Sequence, residues 1–498
     1  MTELSQRQRS LVLSICCASM IVVVMDISIV NTALPRIHSD LHASVTGLQW
    51  TVDAYTLVLA SFLVLAGSTA DRVGRKRIFQ IGLTAFGVGS LLCGLAPSIG
   101  WLIGARAVQA IGGTMLNPVA MAIIANTFTV PAERAKAIGV FGSMSGLSLA
   151  LGPILGGILV DAISWRAIFW INVPIVLIAV VLTTLFVPES RAPRARRFDP
   201  VGQLLMIVVL GGVVYAIIEA NRKGWTSPVI LTLLAVAVLC LIALIGYETH
   251  RADPLLELRL FRSVPFSSAI LIALAALCAF GAFLFVTTLY LQDVRGMSAL
   301  RAGFSLLPVG ALIALLSPFT GKLVGARGPR LPLVVSGSAL ALGGILSLPF
   351  TPGTPLLAVL AVFLCFGLFQ GTINPPITNT AVSGMPRSMA GVATSLASAG
   401  RQTGTTMGVA IAGTVLGSVR AGTGFTDSEH GVWWLVFGLG LAIVALGLLS
   451  TGRWAKGTAE RAAALFEEVD RGKAAPAPPA GQPPAGAPSP AEAGARRS

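Results

Sequence analysis

Charge is scarce in this sequence. Only 11% of its 498 residues are Asp, Glu, Lys or Arg, while 54% are hydrophobic and the mean hydropathy is +0.82. A soluble chain of this length needs roughly twice that charge to cover its surface, so a soluble fold is excluded. Histidine is scarcer still. His38, His42, His250 and His430 fall in loops, far apart and without a Cys or His at zinc-ligand spacing, so no metal is expected. No GxxxxGK[ST] phosphate loop is present, which leaves nothing to cradle ATP. The six cysteines (Cys16, Cys17, Cys93, Cys240, Cys278, Cys365) all lie inside apolar blocks and read as packing residues. No catalytic constellation stands out, and an enzyme is not expected.

The apolar residues come in blocks of about 20, the length that crosses about 30 Å of hydrocarbon. Fourteen blocks are read, at 11–34, 50–70, 78–96, 101–125, 137–160, 166–187, 200–219, 229–247, 265–291, 302–321, 331–350, 355–378, 390–418 and 431–452. The fold class is therefore all-α, a polytopic membrane protein whose partner is the lipid bilayer. The net charge of +14 does not indicate nucleic acid, because the basic residues form short clusters between apolar blocks with no aromatics interleaved for stacking. Positive residues concentrate on the cytoplasmic side of membrane proteins. With the N-terminus inside, that side holds about 26 of the 35 Lys and Arg, so both termini are expected in the cytoplasm.

Two polar stretches divide the blocks. PESRAPRARRFDP (188–200) follows the sixth, and 248–264 follows the eighth. The expected organisation is a six-helix bundle over 1–190, a linker with two extra transmembrane helices over 191–262, a second six-helix bundle over 263–455, and a disordered tail over 456–498. GSTADRVGRKR (67–77) has a degraded echo in GKLVGARGPR (321–330), where Gly325 stands in the place of Asp71, which suggests two related halves.

Several residues carry chemistry. Asp26 lies slightly past the middle of the first block, where a carboxylate costs about 2.5–3.5 kcal/mol and therefore faces a cavity or a partner. Asp53 and Arg106 fall at comparable depth in the second and fourth blocks, so the three are candidates for one outer half-bundle. GPILGG supplies Gly152, Pro153, Gly156 and Gly157, a missing backbone bond with room for close contact and bending. In 67–77, Gly67, Asp71, Arg72, Gly74 and Arg75 crowd a loop of about seven residues, a charge cluster suited to a latch that breaks between conformations. Arg401 lies mid-block with no counter-charge visible in the sequence. Glu219, Asp161 and Asp293 read as interfacial or loop residues.

The 67–77 loop resembles the signature of the major facilitator superfamily. MDISIVNTALPRI (25–37), LIGARAVQAIGG (102–113), LGPILGGIL (151–159) and WRAIFWINVP (165–174) resemble motifs of its fourteen-helix drug:proton antiporters, and the resemblance covers about residues 10–455. It implies two six-helix bundles plus two inserted helices in a bacterial inner (plasma) membrane. It also implies export of small amphipathic or cationic drugs by alternating access, with the proton gradient in place of a cofactor and a monomer as the unit. On that resemblance Asp26, Asp53 and Arg106 handle protons or substrate, and Arg401 matches an arginine of the second bundle. Export of one endogenous metabolite, or a transport-inactive sensor on the same fold, remain open alternatives.

Overall fold

A computed structural model describes residues 5–191, 199–251, 257–383, 390–417 and 425–474. Among the described residues the regular structure is helical, with no strand. The passes are α1 (Gln6–Leu41), α2 (Val45–Val73), α3 (Arg75–Gly94), α4 (Ile99–Thr127), α5 (Pro131–Ala162) and α6 (Ala167–Phe186). They continue as α7 (Pro200–Lys223), α8 (Pro228–Thr249), α9 (Val264–Leu289), α10 (Ala299–Arg327), α11 (Arg330–Ser347), α12 (Leu356–Val382), α13 (Ala390–Gly417) and α14 (Phe425–Ser450).

Of these, eleven are long and apolar enough to cross a membrane among the described residues, and α2 makes twelve if its 52° bend between Leu63 and Leu65 is counted as one span. The two that fall short of the fourteen expected are α5 and α13, with 32 and 28 residues. Both are long enough to cross, but both are rich in small residues (Gly, Ala and Ser, with Thr in α13) and pack against other helices, which lowers the need for large apolar side chains.

Several chain-end expectations change. The loop over 67–77 shrinks to one residue, because α2 runs on to Val73 and α3 starts at Arg75. Gly74 joins them with φ of +129°, a backbone that only glycine adopts without strain. The expected disordered tail begins instead with a fifteenth helix, α15 (Arg453–Ala474). Its Ala455, Ala459 and Ala462 are buried at helical spacing, and the Val264 N–H donates to the Thr458 hydroxyl at 3.0 Å. Small apolar residues every three or four positions supplied a packing face that the polar composition hid. Residues 475–498 lie outside the described residues.

Packing is strongest among α1–α6 and separately among α9–α14. The two groups meet along two seams, α2 against α13 and α5 against α10. Every cross-seam bond described lies toward the end of the molecule that holds Trp165, opposite the end that holds Asp71. Gln49 donates to the Ala410 carbonyl at 2.8 Å, and the Thr406 hydroxyl donates to the Thr56 hydroxyl at 2.8 Å. Gln292 donates to the Thr32 carbonyl at 2.8 Å, and Asp161 accepts the Leu300 N–H at 2.8 Å. Asp161 is thus more than an interfacial acid: it caps the first turn of α10 from the other bundle, where a carboxylate favours the helix N-terminus.

The α7–α8 pair covers the first seam from outside. Val214 and Ile218 of α7 pack with Trp50 and Leu57 of α2 and with Ala410 of α13. Bonds run from α7 to both bundles: Gln203 donates to the Ser61 carbonyl at 2.5 Å, and the Thr414 hydroxyl donates to the Ile217 carbonyl at 2.8 Å. Glu219, read as interfacial, is 7% exposed and accepts from Trp50 Nε1 at 3.3 Å. Asp293 sits on a π-helical turn continuing α9, and not in a loop.

The seam sets one expectation. A Cβ built on Gly413 would reach the side-chain atoms of Gln49, close enough for a disulfide. With the native cysteines replaced, Gln49→Cys with Gly413→Cys should crosslink almost completely on mild oxidation. Alkylation that still finds both thiols free would contradict the closed seam.

Candidate functional site

Asp26 and Arg106 form an ion pair, 0% and 1% exposed respectively. Their helices explain the meeting. α1 and α4 pack side by side, and both residues fall in the half nearer Trp165. The Asp26 carboxylate accepts from Arg106, from Gln109 Nε2 at 2.8 Å and from Asn172 Nδ2 at 3.3 Å. Gln109 Nε2 also donates to the Ser90 hydroxyl at 2.8 Å, and its carbonyl oxygen accepts from Arg106 at 2.7 Å. The Arg106 Nε–H reaches the Thr51 carbonyl at 3.1 Å, and its guanidinium lies 4.2 Å from the centre of the Tyr55 ring. Four bundle-one helices beside α1 therefore contribute to one carboxylate–guanidinium pair. A buried pair is tolerable only when its remaining donors and acceptors are also matched, and here both Asp26 oxygens accept hydrogen bonds.

Asp53 does not join this network. Residues 51 and 55 face α4, whereas Gln49, Asp53 and Thr56 share the opposite face of α2, toward α13. Asp53 is 0% exposed, and neither carboxyl oxygen meets a hydrogen-bond donor, although Thr56 lies close enough to interact. The expectation grouped all three residues by depth, but the helix face separates Asp53 from the pair. It is a buried carboxyl in the joint between bundles.

The GPILGG turn divides its roles by face. Gly152 and Gly156 lie against Ser28, Ile29 and Thr32 of α1. Gly157 lies against Ala299 and Leu300 of α10, and the Pro153 carbonyl against Gly303. A Cβ on Gly157 would come within 2.5 Å of the Leu300 backbone, so any larger residue forces the second seam apart. Pro153 and Gly157 form a contact surface between the bundles, next to the Asp161 cap, while Gly152 and Gly156 seat α5 on α1.

At the opposite end, Arg75 donates to the Asp71 carboxylate at 2.9 and 3.1 Å. Glu189, which sequence reasoning did not single out, accepts the Lys76 N–H at 3.1 Å and lies 3.7 Å from Arg77. A Cβ on Gly74 would fall 2.7 Å from the Glu189 carboxylate, which would have to swing aside, so the positive φ is what requires glycine there. Arg72 is exposed, and Gly67 lies near Pro118 of α4. Among the described residues these bonds stay inside the first bundle. Arg401, on α13, donates to the Ser398 hydroxyl at 2.9 Å and meets no carboxylate among the described residues.

Two packed helix bundles, the first built around a buried ion pair, define a polytopic membrane protein. Comparison makes this specific. The profile of the Major Facilitator Superfamily matches residues 16–409, and the chain belongs to that family. It is 37% identical over 400 residues to the multidrug resistance protein Stp of Mycobacterium tuberculosis, covering 80% of this chain and 74% of that protein. It is 35% identical to the tetracenomycin C resistance and export protein of Streptomyces glaucescens (81% and 75% covered), and 37% identical to the puromycin resistance protein pur8 of Streptomyces alboniger (80% of each). Among solved structures it matches a POT peptide transporter with TM-score 0.62 at 15% identity, covering 91% and 95%. It matches the human organic anion transporter MFSD10 with TM-score 0.60 at 14% identity, covering 87% and 99%. These likenesses concern the fold alone. The chain is a transporter, not an enzyme, and its relatives belong to drug and antibiotic efflux.

The buried pair sets a measurable asymmetry. Asp26→Asn or Arg106→Gln alone leaves one buried charge unmatched and should cost about 3–5 kcal/mol, whereas the double variant should recover much of that. Thermal unfolding of purified protein checks this; equal losses in single and double variants would mean that the pair is not the stabilising unit.

Proposed function

We propose that the chain exports small amphipathic, antibiotic-like molecules from the cytoplasm in exchange for protons, working as a monomer in a bacterial inner membrane with both termini inside. The export and efflux names of several relatives support the direction, and the clustering of Lys and Arg supports the orientation. In that orientation the Trp165 end is outside, and the bonded seams make this the inward-facing state.

The observation that carries proton coupling is Asp53. A charged carboxyl buried without a donor or cation costs several kcal/mol, but a neutral one costs far less. When the bundles part on the outer side, Asp53 meets the acidic exterior and takes a proton. Neutralised, it lets α2 close on α13, and the cavity turns inward. Substrate binding and loss of the proton to the cytoplasm put charge back into the closed seam and favour reopening outward. Asp26 and Arg106 hold α1, α2 and α4 as one rocking unit, and the pair must loosen if Asp26 is to carry a second proton. Pro153 and Gly157, with Asp161, make the outer seal, while Gly152 and Gly156 seat α5 on α1. Asp71 and Arg75, with Gly67, Arg72 and Gly74 shaping their corner, are free to latch to the second bundle when the inner side closes.

A membrane potential of 100 mV supplies about 2.3 kcal/mol per charge moved, roughly fifty-fold in concentration. The test is uptake of tetracenomycin C by inverted vesicles under an imposed pH gradient. Uptake should vanish when the gradient is collapsed, and Asp53→Asn should keep less than about a tenth of the rate. Asp26→Asn should also fall well below wild type. Gradient-independent uptake, or full activity in Asp53→Asn, would refute the coupling.

A further inference from the structure

Arg401 is the charge that the coupling mechanism does not use. Its surroundings can be read from the helix that carries it. On α13, Gly400, Gly404 and Gly408 lie against Ile270, Leu274 and Cys278 of α9. Thr406, Ala410 and Gly413 meet Thr56 and Gln49 of α2, while Ala410 and Thr414 also meet α7. At about 100° per residue, these contacts occupy three sides of the helix, and α12 and α14 pack on it as well, Gly431 of α14 lying against Val415. The remaining side carries Thr394, Ser398, Arg401 and Thr405, spaced at i, i+4, i+7 and i+11. That side is opposite α7, which covers the seam from outside, so it is turned toward the interior of the molecule. All four residues are half-buried, as expected for side chains lining an open interior rather than a packed joint.

The guanidinium spends one donor on Ser398 and has five N–H groups in a planar fork. Nothing in its own bundle can neutralise it locally, because the chain contains no Asp or Glu between Asp293 and Asp427. The acids of the first bundle are committed elsewhere: Asp26 is locked to Arg106, and Asp53 is sealed in the α2–α13 joint. The interior of this state therefore presents an uncompensated cation and a ladder of hydroxyls.

We infer that Arg401 is an anion subsite, and that the transporter takes amphipathic organic anions whose carboxylate or phenolate pairs with this guanidinium while the apolar body rests on the surrounding helices. This rests on the export reading for the site being a substrate path, and it narrows amphipathic substrates to anionic ones. A bidentate carboxylate satisfies the fork and removes the buried charge. An organic cation meets like charge there instead. Exchange of an anion for an entering proton is electrogenic, unlike exchange of a monovalent cation.

The experiment is equilibrium binding, which needs no transport. Purified protein in lipid nanodiscs at pH 7.5 is titrated with fluorescein, an anionic xanthene dye, and with rhodamine 6G, a cationic dye of similar shape. Wild-type protein should bind fluorescein more tightly than rhodamine 6G. Arg401→Gln should weaken fluorescein binding at least tenfold and leave rhodamine 6G unchanged or tighter, while Arg401→Lys should retain intermediate affinity. An unaltered elution profile and melting temperature in Arg401→Lys keep the comparison valid if the glutamine variant fails to fold. Preference for rhodamine 6G, absence of fluorescein binding, or an unchanged fluorescein affinity in both variants would overturn the inference. Failure of proton coupling would show instead as binding of fluorescein with normal selectivity but no pH-driven flux.

Discussion

A charge inside the hydrocarbon layer must be paired, neutralised or placed beside water, and this constraint organises the whole molecule. Its spans carry few interior charges, and each meets the constraint differently. Asp26 and Arg106 are paired, with Gln109, Asn172, Ser90 and Thr51 completing their hydrogen bonds. Asp53 is buried without a matching donor. Arg401 has a hydroxyl neighbour and no carboxylate among the described residues. The first solution gives rigidity. The other two are unfinished, and an unfinished site is where a proton or a ligand does work.

Geometry then converts those sites into motion. Asp53 stands between Gln49 and Thr56, the two residues that bond α2 to α13, so its charge and the closure of that seam are not independent. The second seam closes by shape, Gly157 against Leu300 with the Asp161 cap beside it. The inserted α7 bonds to both sides of the first seam, so opening must strain or break some of those bonds. A helix pair that looked like an appendage in sequence is thus placed as a brace.

Much of this was legible in the chain. Block length and hydropathy marked the passes, and charge at depth singled out Asp26, Asp53, Arg106 and Arg401 before any geometry was known. Depth is a one-dimensional coordinate, however. It placed Asp53 level with Arg106 but could not show that the two face opposite sides of α2. Partners far along the chain were equally hidden, among them Glu189 beside Gly74, Trp50 under Glu219, and Asp161 on Leu300. The Asn172 contact had a signal, since a lone amide in the apolar INVP segment needs a buried partner. α15 was missed because alanine-rich packing gives little hydropathy signal.

The central claim is that protonation of Asp53 permits closure of the outer side. Spin labels at Ser39 on α1 and Arg301 on α10, both exposed at the Trp165 end, report that opening directly by pulsed electron–electron distance measurement in nanodiscs. The account predicts that raising the pH lengthens this distance in otherwise wild-type protein, and that Asp53→Asn holds it short at every pH. An Asp53→Asn protein that opens with the wild-type pH dependence would contradict it.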